Sequence, residues 1–99
     1  MIRKRTKHFD HSLKKLIKMH YPVELIRIVL NAIDDQDEQL LKKAHDHALK
    51  NNWKGYRAFH PGRLAKANHH VLDNWVVIYT IDEDAIVLTL IDTGSHNIF

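Results

Sequence analysis

Cysteine is absent from the 99 residues of the chain, and proline and glycine are scarce, with two and three residues. Without cysteine there are no disulfide bonds and no thiolate metal sites, and a reducing compartment is compatible with the sequence. No apolar run reaches the roughly 20 residues of a membrane span, and no apolar signal core follows the basic residues 1–8. Internal repeats, low-complexity tracts and linkers are also lacking. We therefore expect a single domain, residues 1–99, that acts in the cytoplasm.

The chain also lacks a strong excess of charge of either sign. It has 15 Lys and Arg and 12 Asp and Glu, which gives a formal net charge of +3. The distribution of these charges is uneven. Residues 1–20 hold seven basic side chains and one acid, residues 34–38 are nearly all acidic, and residues 50–70 hold five basic side chains and no acid. Two basic segments separated by an acidic one favour a face that attracts a polyanion. A roughly neutral, solvated surface is the alternative.

Apolar residues recur at helical spacing through the first half of the chain and predict three helices. Asp10 or Ser12 is the candidate N-cap of the first helix. Pro22 suits the first turn of the second, where its missing N–H costs nothing. Asp35 begins a capping-box-like spacing for the third helix, which we expect to end only at residues 51–52.

The second half is dense in Val, Ile, Thr, Tyr and Leu and has the period of strands. Residues 56–59, 75–81 and 85–91 predict strands, and the acidic residues 82–84 predict the turn between the last two. Weak alternation over residues 2–8 indicates a short first strand. Helices followed by an antiparallel meander predict an α+β fold, with the N-terminal helices packed on a small antiparallel sheet in two layers.

RNA can be cut without a metal when the neighbouring 2′-OH attacks the phosphate. A base must then remove the hydroxyl proton, an acid must protonate the leaving 5′ oxygen, and a cation must stabilise the charge of the phosphorane. Histidine suits both proton transfers because its unperturbed pKa lies near neutral pH. Arginine suits the phosphate because its planar guanidinium group can donate hydrogen bonds to two phosphate oxygens at once.

Several histidines are candidates for this chemistry. His96 follows the last apolar strand and a predicted tight turn at Gly94 and Ser95, which would hold its imidazole at the rim of the sheet. The whole candidate set is His47, His60, His70 and His96, with Lys54 and Arg57 beside them. Structural roles are the alternative: His47 near a predicted helix end suits contact with the last carbonyls, and His60 before Pro61 suits a solvated loop.

Four segments of the second half occur in a particular order and spacing: DHAL at 46–49, WKGYRAFH at 53–60, DNWVVIY at 73–79 and TGSH at 93–96. Together they resemble the YafQ branch of the RelE-like toxins of bacterial toxin–antitoxin pairs. The resemblance implies the RelE-like toxin fold and a ribosome-dependent endoribonuclease that cuts mRNA and inhibits translation. It also implies a cognate antitoxin and the ribosome, with mRNA in its decoding site, as partners, and no cofactor and no membrane.

The resemblance also implies roles for individual residues. Catalytic histidines match His47, His60 and His96, and Arg57 falls in the same motif. The family places an aspartate directly before the strand tryptophan, where this chain has an asparagine, so Asp73 is the candidate carboxylate after a local shift. The residues implied to contact RNA are Lys54, Arg63, Lys66, His70, Asn74, Trp75 and Phe99.

Some of these assignments stay open. The segment after His60 is longer than in the simplest family members, so that His70 lies at the usual distance from Trp75. The segment from His96 to Phe99 is one residue shorter than in close relatives, which leaves the base-stacking role of Phe99 undecided. Trp75 is also typical of core packing.

Two other classes of function compete with a ribonuclease. A toxin-like fold could block a protein partner without catalysis, although a pure binder has no need of proton-transfer groups. A zinc site formed by His69, His70 and other histidines is disfavoured, because adjacent histidines point apart and no flanking carboxylate or cysteine completes the set. We therefore expect no metal ligands.

Overall fold

The structure is a computed structural model that describes residues 1–65 and 70–99. Within these residues, the helices and strands are β1 (Ile2–Arg5), α1 (Lys7–Lys18), α2 (Glu24–Asp35), α3 (Glu38–Lys43), β2 (His47–Ala48), β3 (Arg57–Phe59), α4 (His70–Asp73), β4 (Trp75–Asp82) and β5 (Val87–Ser95). Short 3₁₀ helices lie at Asn51–Trp53, Pro61–Leu64 and His96–Ile98. None of the helices in the described part of the chain is long and apolar enough to cross a membrane.

The strands form one mixed sheet in the order β1-β5-β4-β3-β2. β2 to β5 pair in antiparallel fashion, as the predicted meander requires. β1 instead runs parallel to β5, with Ile2 opposite Val87 and Arg5 opposite Leu90. The predicted small antiparallel sheet therefore carries one additional parallel strand at this edge. No hairpin joins β1 to its neighbour, and only a hairpin would force the two strands to run in opposite directions.

The helices pack on the sheet and bury an apolar core, which confirms the predicted α+β class. α1 lies against β5 and contributes Phe9 and Leu16 to this core, and α2 contributes Val29. The sheet contributes side chains that alternate along its strands on the same face. They are Phe59, Trp75, Val77, Tyr79, Leu88 and Leu90.

Two helix ends differ from the prediction. The N-cap of α1 is Thr6, not Asp10 or Ser12, because its hydroxyl accepts the Phe9 N–H at 2.9 Å and donates to the Ile91 carbonyl at 2.7 Å. A residue that ties the helix to β5 as well as capping it outcompetes a purely local cap.

The third helix is also shorter than expected. Asp37 caps α3 by accepting the Leu40 N–H, and α3 ends at Lys43. The next residues turn through His45, whose φ is 55°, and His47 enters β2 opposite Ala58. The prediction that His47 lies at a helix end is therefore wrong, because pairing with β3 competes successfully with helix extension.

The last strand is longer than expected. β5 continues to Ser95, which pairs with Trp75, and Gly94 pairs with Val76. The predicted tight turn at Gly94 and Ser95 is therefore wrong, because both residues lie in the ladder. His96 follows the strand directly and begins the last 3₁₀ helix.

Candidate functional site

Four histidine rings lie side by side at one end of the sheet, and we refer to His45, His47, His60 and His96 as the histidine cluster. His60 is central: its ring centroid lies 5.3 Å from that of His45, 6.1 Å from that of His47 and 6.0 Å from that of His96. The His45 and His47 centroids are 4.5 Å apart. The structure thus brings together three of the histidines predicted from the sequence and adds a fourth.

The sheet explains why residues so distant in sequence meet. Phe59 pairs with Val77 and Ser95 pairs with Trp75, so β3 and β5 finish at the same end of the sheet. His60 and His96 are the residues that directly follow these two strands. The backbone N–H of His60 also donates to the Ala44 carbonyl at 2.7 Å, which ties it to the turn that carries His45.

Backbone carbonyls fix the ring nitrogens of two members of the cluster. Nδ1 of His47 lies 2.8 Å from the carbonyl oxygen of His45, and Nδ1 of His60 lies 3.3 Å from that of Asp73. Because a carbonyl only accepts, Nδ1 is assigned as the donor in both rings. Nε2 of each neutral ring then carries the free lone pair, available to accept a proton or bind a ligand.

Burial sets the protonation of His60. Its side chain is only 5% exposed, and this desolvation lowers the pKa of His60 to about 4. Desolvation, and then the neighbouring His47, also lower the pKa of His45. His60 is therefore neutral near pH 7 and unable to serve there as a protonated general acid.

A second polar network lies beside the cluster. Nη2 of Arg57 donates to the Asp46 carboxylate at 2.8 Å, and Nε donates to the Tyr79 hydroxyl at 3.2 Å. The Tyr79 hydroxyl in turn donates to Asp46. The bond to Asp46 is the main cause of a raised Arg57 pKa, and burial raises the pKa of Tyr79 above its ordinary range.

This network separates Arg57 from the histidine cluster. His47 is paired with Ala58, and the side chains of Arg57 and Ala58 point to opposite faces of the sheet. Two guanidinium nitrogens are already bonded to Asp46 and Tyr79. The structure therefore does not bring Arg57 to the position expected of a phosphate ligand.

A groove of about 380 Å³ opens next to the cluster. Phe99 lines it, with its ring centroid 4.9 Å from that of His96 and 6.1 Å from that of Trp53. Phe99 is 41% exposed, so its ring face is accessible. The residues that line the groove are His47, Leu49, Lys50, Asn51, Asn52, Trp53, His96 and Phe99.

The other predicted site residues are spread more widely. Lys54, Arg63 and Asn74 are exposed, and the positive charge of Arg63 lowers the pKa of His60. Asp73 is exposed, and it contacts the cluster through its backbone carbonyl rather than its carboxylate. Lys66 and the side chain of His70 lie outside the described residues.

Trp75 requires a correction. Its side chain is fully buried, its Nε1 donates to the Thr93 hydroxyl at 2.9 Å, and its ring packs edge-on against Tyr21. An indole enclosed in this way has no face left for a nucleobase, so the prediction that Trp75 contacts RNA is wrong. The alternative of core packing is confirmed.

Sequence reasoning missed His45, Lys50 and the role of Asp46. The signal for His45 was its spacing of two residues from His47, but only the left-handed backbone at His45 directs both rings to His60. The expectation of no metal ligands considered His69 and His70 together with other histidines. Among the described residues, the ligand atoms that meet are those of His45, His47 and His60, all within 4.8 Å of one another.

Comparisons with known proteins identify the family and agree with the fold. The sequence profile of YafQ, a bacterial toxin of type II toxin–antitoxin systems, matches residues 1–99. The fold is similar to that of YafQ from E. coli strain BL21(DE3), with 21% identity and a TM-score of 0.73 over 97% of this chain and 93% of that one. No curated protein matches the chain.

Two further solved structures are similar. In the E. coli DinJ–YafQ complex the match has 22% identity and a TM-score of 0.72, covering 98% of this chain and 94% of that one. A metal-bound toxin from Helicobacter pylori is 25% identical, with a TM-score of 0.78 over 100% of this chain and 98% of that one.

Proposed function

Because the chain belongs to the YafQ family of toxins from bacterial type II toxin–antitoxin systems, we propose that it is a ribosome-dependent endoribonuclease that cuts mRNA. The observation that carries this proposal is the histidine cluster, in which His47 and His96 line an open groove and the ring of His60 lies next to both. Cleavage of this kind inhibits translation in the bacterial cytoplasm.

The reaction is an attack of the 2′-OH on the adjacent phosphorus. A bond forms between the 2′ oxygen and phosphorus, the bond to the 5′ oxygen breaks, and a cyclic phosphate and a free 5′-OH result. One proton leaves the attacking hydroxyl and one proton reaches the leaving oxygen. Each positioned proton transfer contributes typically about 10²–10⁴-fold to the rate.

His47 and His96 are the residues that we assign to these two proton transfers, because both line the groove. His60 lies between them and is neutral, since burial lowers its pKa to about 4. A neutral ring at this position accepts a hydrogen bond and keeps its two neighbours in place without adding positive charge. We therefore propose that His60 orients the reacting groups rather than acting as the acid.

Lysine side chains supply the cation in this proposal. Lys50 lines the groove together with His47 and His96, and Lys54 follows Trp53 of the groove wall. Arg57, bonded to Asp46, acts as a positioning residue for the turn that carries His47. The exposed aromatic ring of Phe99 suits stacking on a base of the message.

The partners that we propose are the ribosome, with mRNA in its decoding site, and a cognate antitoxin. Support for the antitoxin comes from family membership and from the E. coli YafQ structure in complex with DinJ. The free chain carries a formal net charge of +3. An acidic, partly disordered antitoxin segment that covers the groove would neutralise Lys50 and displace or shield Phe99.

No metal takes part in the proposed chemistry, because histidines carry both proton transfers and lysine carries the charge stabilisation. The H. pylori relative is described as metal-bound, so the role of metal needs a direct test. Cleavage should continue in a chelator selective for transition metals, with Mg²⁺ retained to keep the ribosome intact.

The deciding experiment incubates purified protein with programmed ribosomes and maps cleaved message. Wild-type protein should cut the mRNA, and His47→Ala and His96→Ala should each cut it about 10²–10⁴-fold more slowly. His20→Ala, which removes a histidine remote from the cluster in sequence, is the matched control. Absence of cleavage by well-folded wild-type protein, combined with arrest of growth, would favour the alternative of a non-catalytic toxin that blocks a protein partner.

A further inference from the structure

We propose that His45, His47 and His60 form a binding site for a divalent transition-metal ion such as Zn²⁺, and that the bound ion inhibits the toxin. Binding is independent of any activity of the chain. Inhibition rests on the proposed ribonuclease function, because it depends on His47 and His60 serving in that reaction.

The distances bring the three imidazoles within range of one ion. Their ligand nitrogens all lie within 4.8 Å of one another. Two nitrogens bound at about 2.0–2.1 Å to a tetrahedral ion are separated by about 3.3 Å. Closing this difference requires movements of about 1–2 Å, which rotations of the rings about their side-chain bonds supply.

The hydrogen bonds leave Nε2 of His47 and of His60 free to bind the ion. Nδ1 of His47 and Nδ1 of His60 donate to the backbone carbonyls of His45 and Asp73. A histidine that binds metal through one nitrogen usually donates its other N–H to a carbonyl or carboxylate, which fixes the tautomer and the ring orientation. Both rings already have this arrangement.

The backbone holds the third ligand in an unusual conformation. His45 has a φ of 55°, in the left-handed region that few non-glycine residues occupy, although histidine is enriched among those that do. The turn is fixed by backbone bonds from His45 to Lys42 and from Asp46 to Leu41, and by the Asp46 contact with Arg57. Strained residues held in this way are concentrated at functional sites.

The ligand chemistry selects the class of metal. Three neutral imidazoles suit Zn²⁺, Cu²⁺, Ni²⁺ and Co²⁺, whereas Mg²⁺ and Ca²⁺ prefer oxygen ligands. Imidazole binds metal only in its neutral form, so binding should weaken as the pH is lowered. Three protein ligands leave a fourth position of a tetrahedral ion for water.

Metal at this site would compete with the proposed reaction for the same atoms. A Zn²⁺ ion that occupies Nε2 of His47 removes the lone pair needed for proton transfer. It also places positive charge between His47 and His60. The expected effect is therefore inhibition, in contrast to enzymes in which three histidines hold a catalytic zinc.

Binding is tested on metal-stripped protein by calorimetric titration with Zn²⁺ and by the visible absorption of four-coordinate Co²⁺. The variant is His45→Asn, since asparagine tolerates the left-handed backbone but lacks the imidazole. Wild type should bind one ion. Removal of an outer partner of a metal ligand typically weakens metal binding by about 10–100-fold. Because His45→Asn removes a ligand itself, the variant should bind the ion more weakly by at least this factor.

The matched control is His20→Asn, because His20 is also an exposed histidine with a left-handed backbone, at φ 62°. This control should bind the ion as wild type does. Failure of wild type to bind a stoichiometric ion, or equal affinity of wild type and His45→Asn, would overturn the site.

Inhibition is tested by dividing each protein's cleavage rate in Zn²⁺ by its own rate in chelator. Wild type and His20→Asn should lose most of their activity with Zn²⁺, and His45→Asn should keep a much larger share. Bound metal without loss of cleavage would overturn the inhibitory role. If no protein cleaves mRNA even in chelator, the proposed function fails, and the Co²⁺ spectrum still decides the metal site.

Discussion

Asp46 accepts a hydrogen bond from the guanidinium of Arg57, with Nη2 2.8 Å from the carboxylate oxygen. The side chains of Arg57 and His47 lie on opposite faces of the sheet. The Asp46 side chain is only 9% exposed. The ion pair therefore anchors the turn between α3 and β2, and this turn carries His45 and His47. Arg57, which the motif groups with His47, His60 and His96, is thus linked to the histidine cluster through the turn that carries His45 and His47.

Arg57→Ala should destabilise the protein as well as reduce its activity. Removal of the guanidinium leaves the Asp46 carboxylate with Tyr79 as its remaining partner, at an expected cost of about 1–3 kcal/mol, because Arg57 is partly exposed and the pair is not fully buried. Urea unfolding followed by circular dichroism measures this change. Arg63→Ala, at an exposed position, is the control and should stay within about 0.5 kcal/mol of wild type. Unchanged stability of Arg57→Ala would show that the ion pair does not anchor the turn.

His96→Ala should separate activity from stability. His96 follows β5 and is exposed, so its removal should change the free energy of unfolding by no more than about 0.5 kcal/mol. Loss of a proton-transfer group should slow mRNA cleavage by about 10²–10⁴-fold. Parallel measurements of cleavage, growth arrest and thermal melting test both parts. Full cleavage by a well-folded His96→Ala protein would remove His96 from the proposed mechanism.

Stability should fall as the pH is lowered, because of His60. Its pKa is about 4 in the folded protein, whereas an unperturbed imidazole has a pKa of 6.5. Between these values the unfolded chain binds a proton that the folded protein does not, so stability is fully present above pH 6.5 and is lost as the pH falls towards 4. The loss attributable to His60 is at most about 3 kcal/mol. Unfolding of wild type and His60→Asn in metal-free buffer across this range gives the comparison, and the variant should show a shallower fall.

Binding of RNA should weaken with salt in proportion to the phosphates that lysines neutralise. For single strands the slope of log K against log salt is about −0.7 per phosphate contact. Lys50→Gln should therefore reduce the slope by about 0.7 if Lys50 contacts one phosphate. Lys18→Gln, at the exposed end of α1, should leave it unchanged. Equal slopes for Lys50→Gln and wild type would exclude Lys50 as the phosphate ligand.

The strands and helices with strong periodicity were predictable from sequence, and the short or irregular elements were not. β4 and β5 have long runs of branched apolar residues, and α2 has a clear apolar stripe. β2 is two residues long, too short for any periodicity, and its existence depends on the register with β3. The left-handed turn at His45 likewise has no glycine to mark it.

The site was predictable in composition but not in arrangement. Motif spacing singled out His47, His60 and His96, and the structure places their rings in one cluster. The same motifs grouped Arg57 and Trp75 with them, although alternation along β3 and burial in the core direct both side chains elsewhere. The spacing of residues along a strand does not show which face of the sheet is buried. That depends on which face the helices pack against.

The parallel pairing of β1 with β5 has a consequence for the time at which the sheet is completed during synthesis. β1 is made early, whereas its partner strand and His96 are made only after the other described helices and strands. Until β5 emerges, β4 has one unpaired edge and the histidine cluster lacks the ring that completes the groove. A growing chain of this topology therefore cannot complete its sheet, or bring the fourth ring into the histidine cluster, before β5 and His96 have been made.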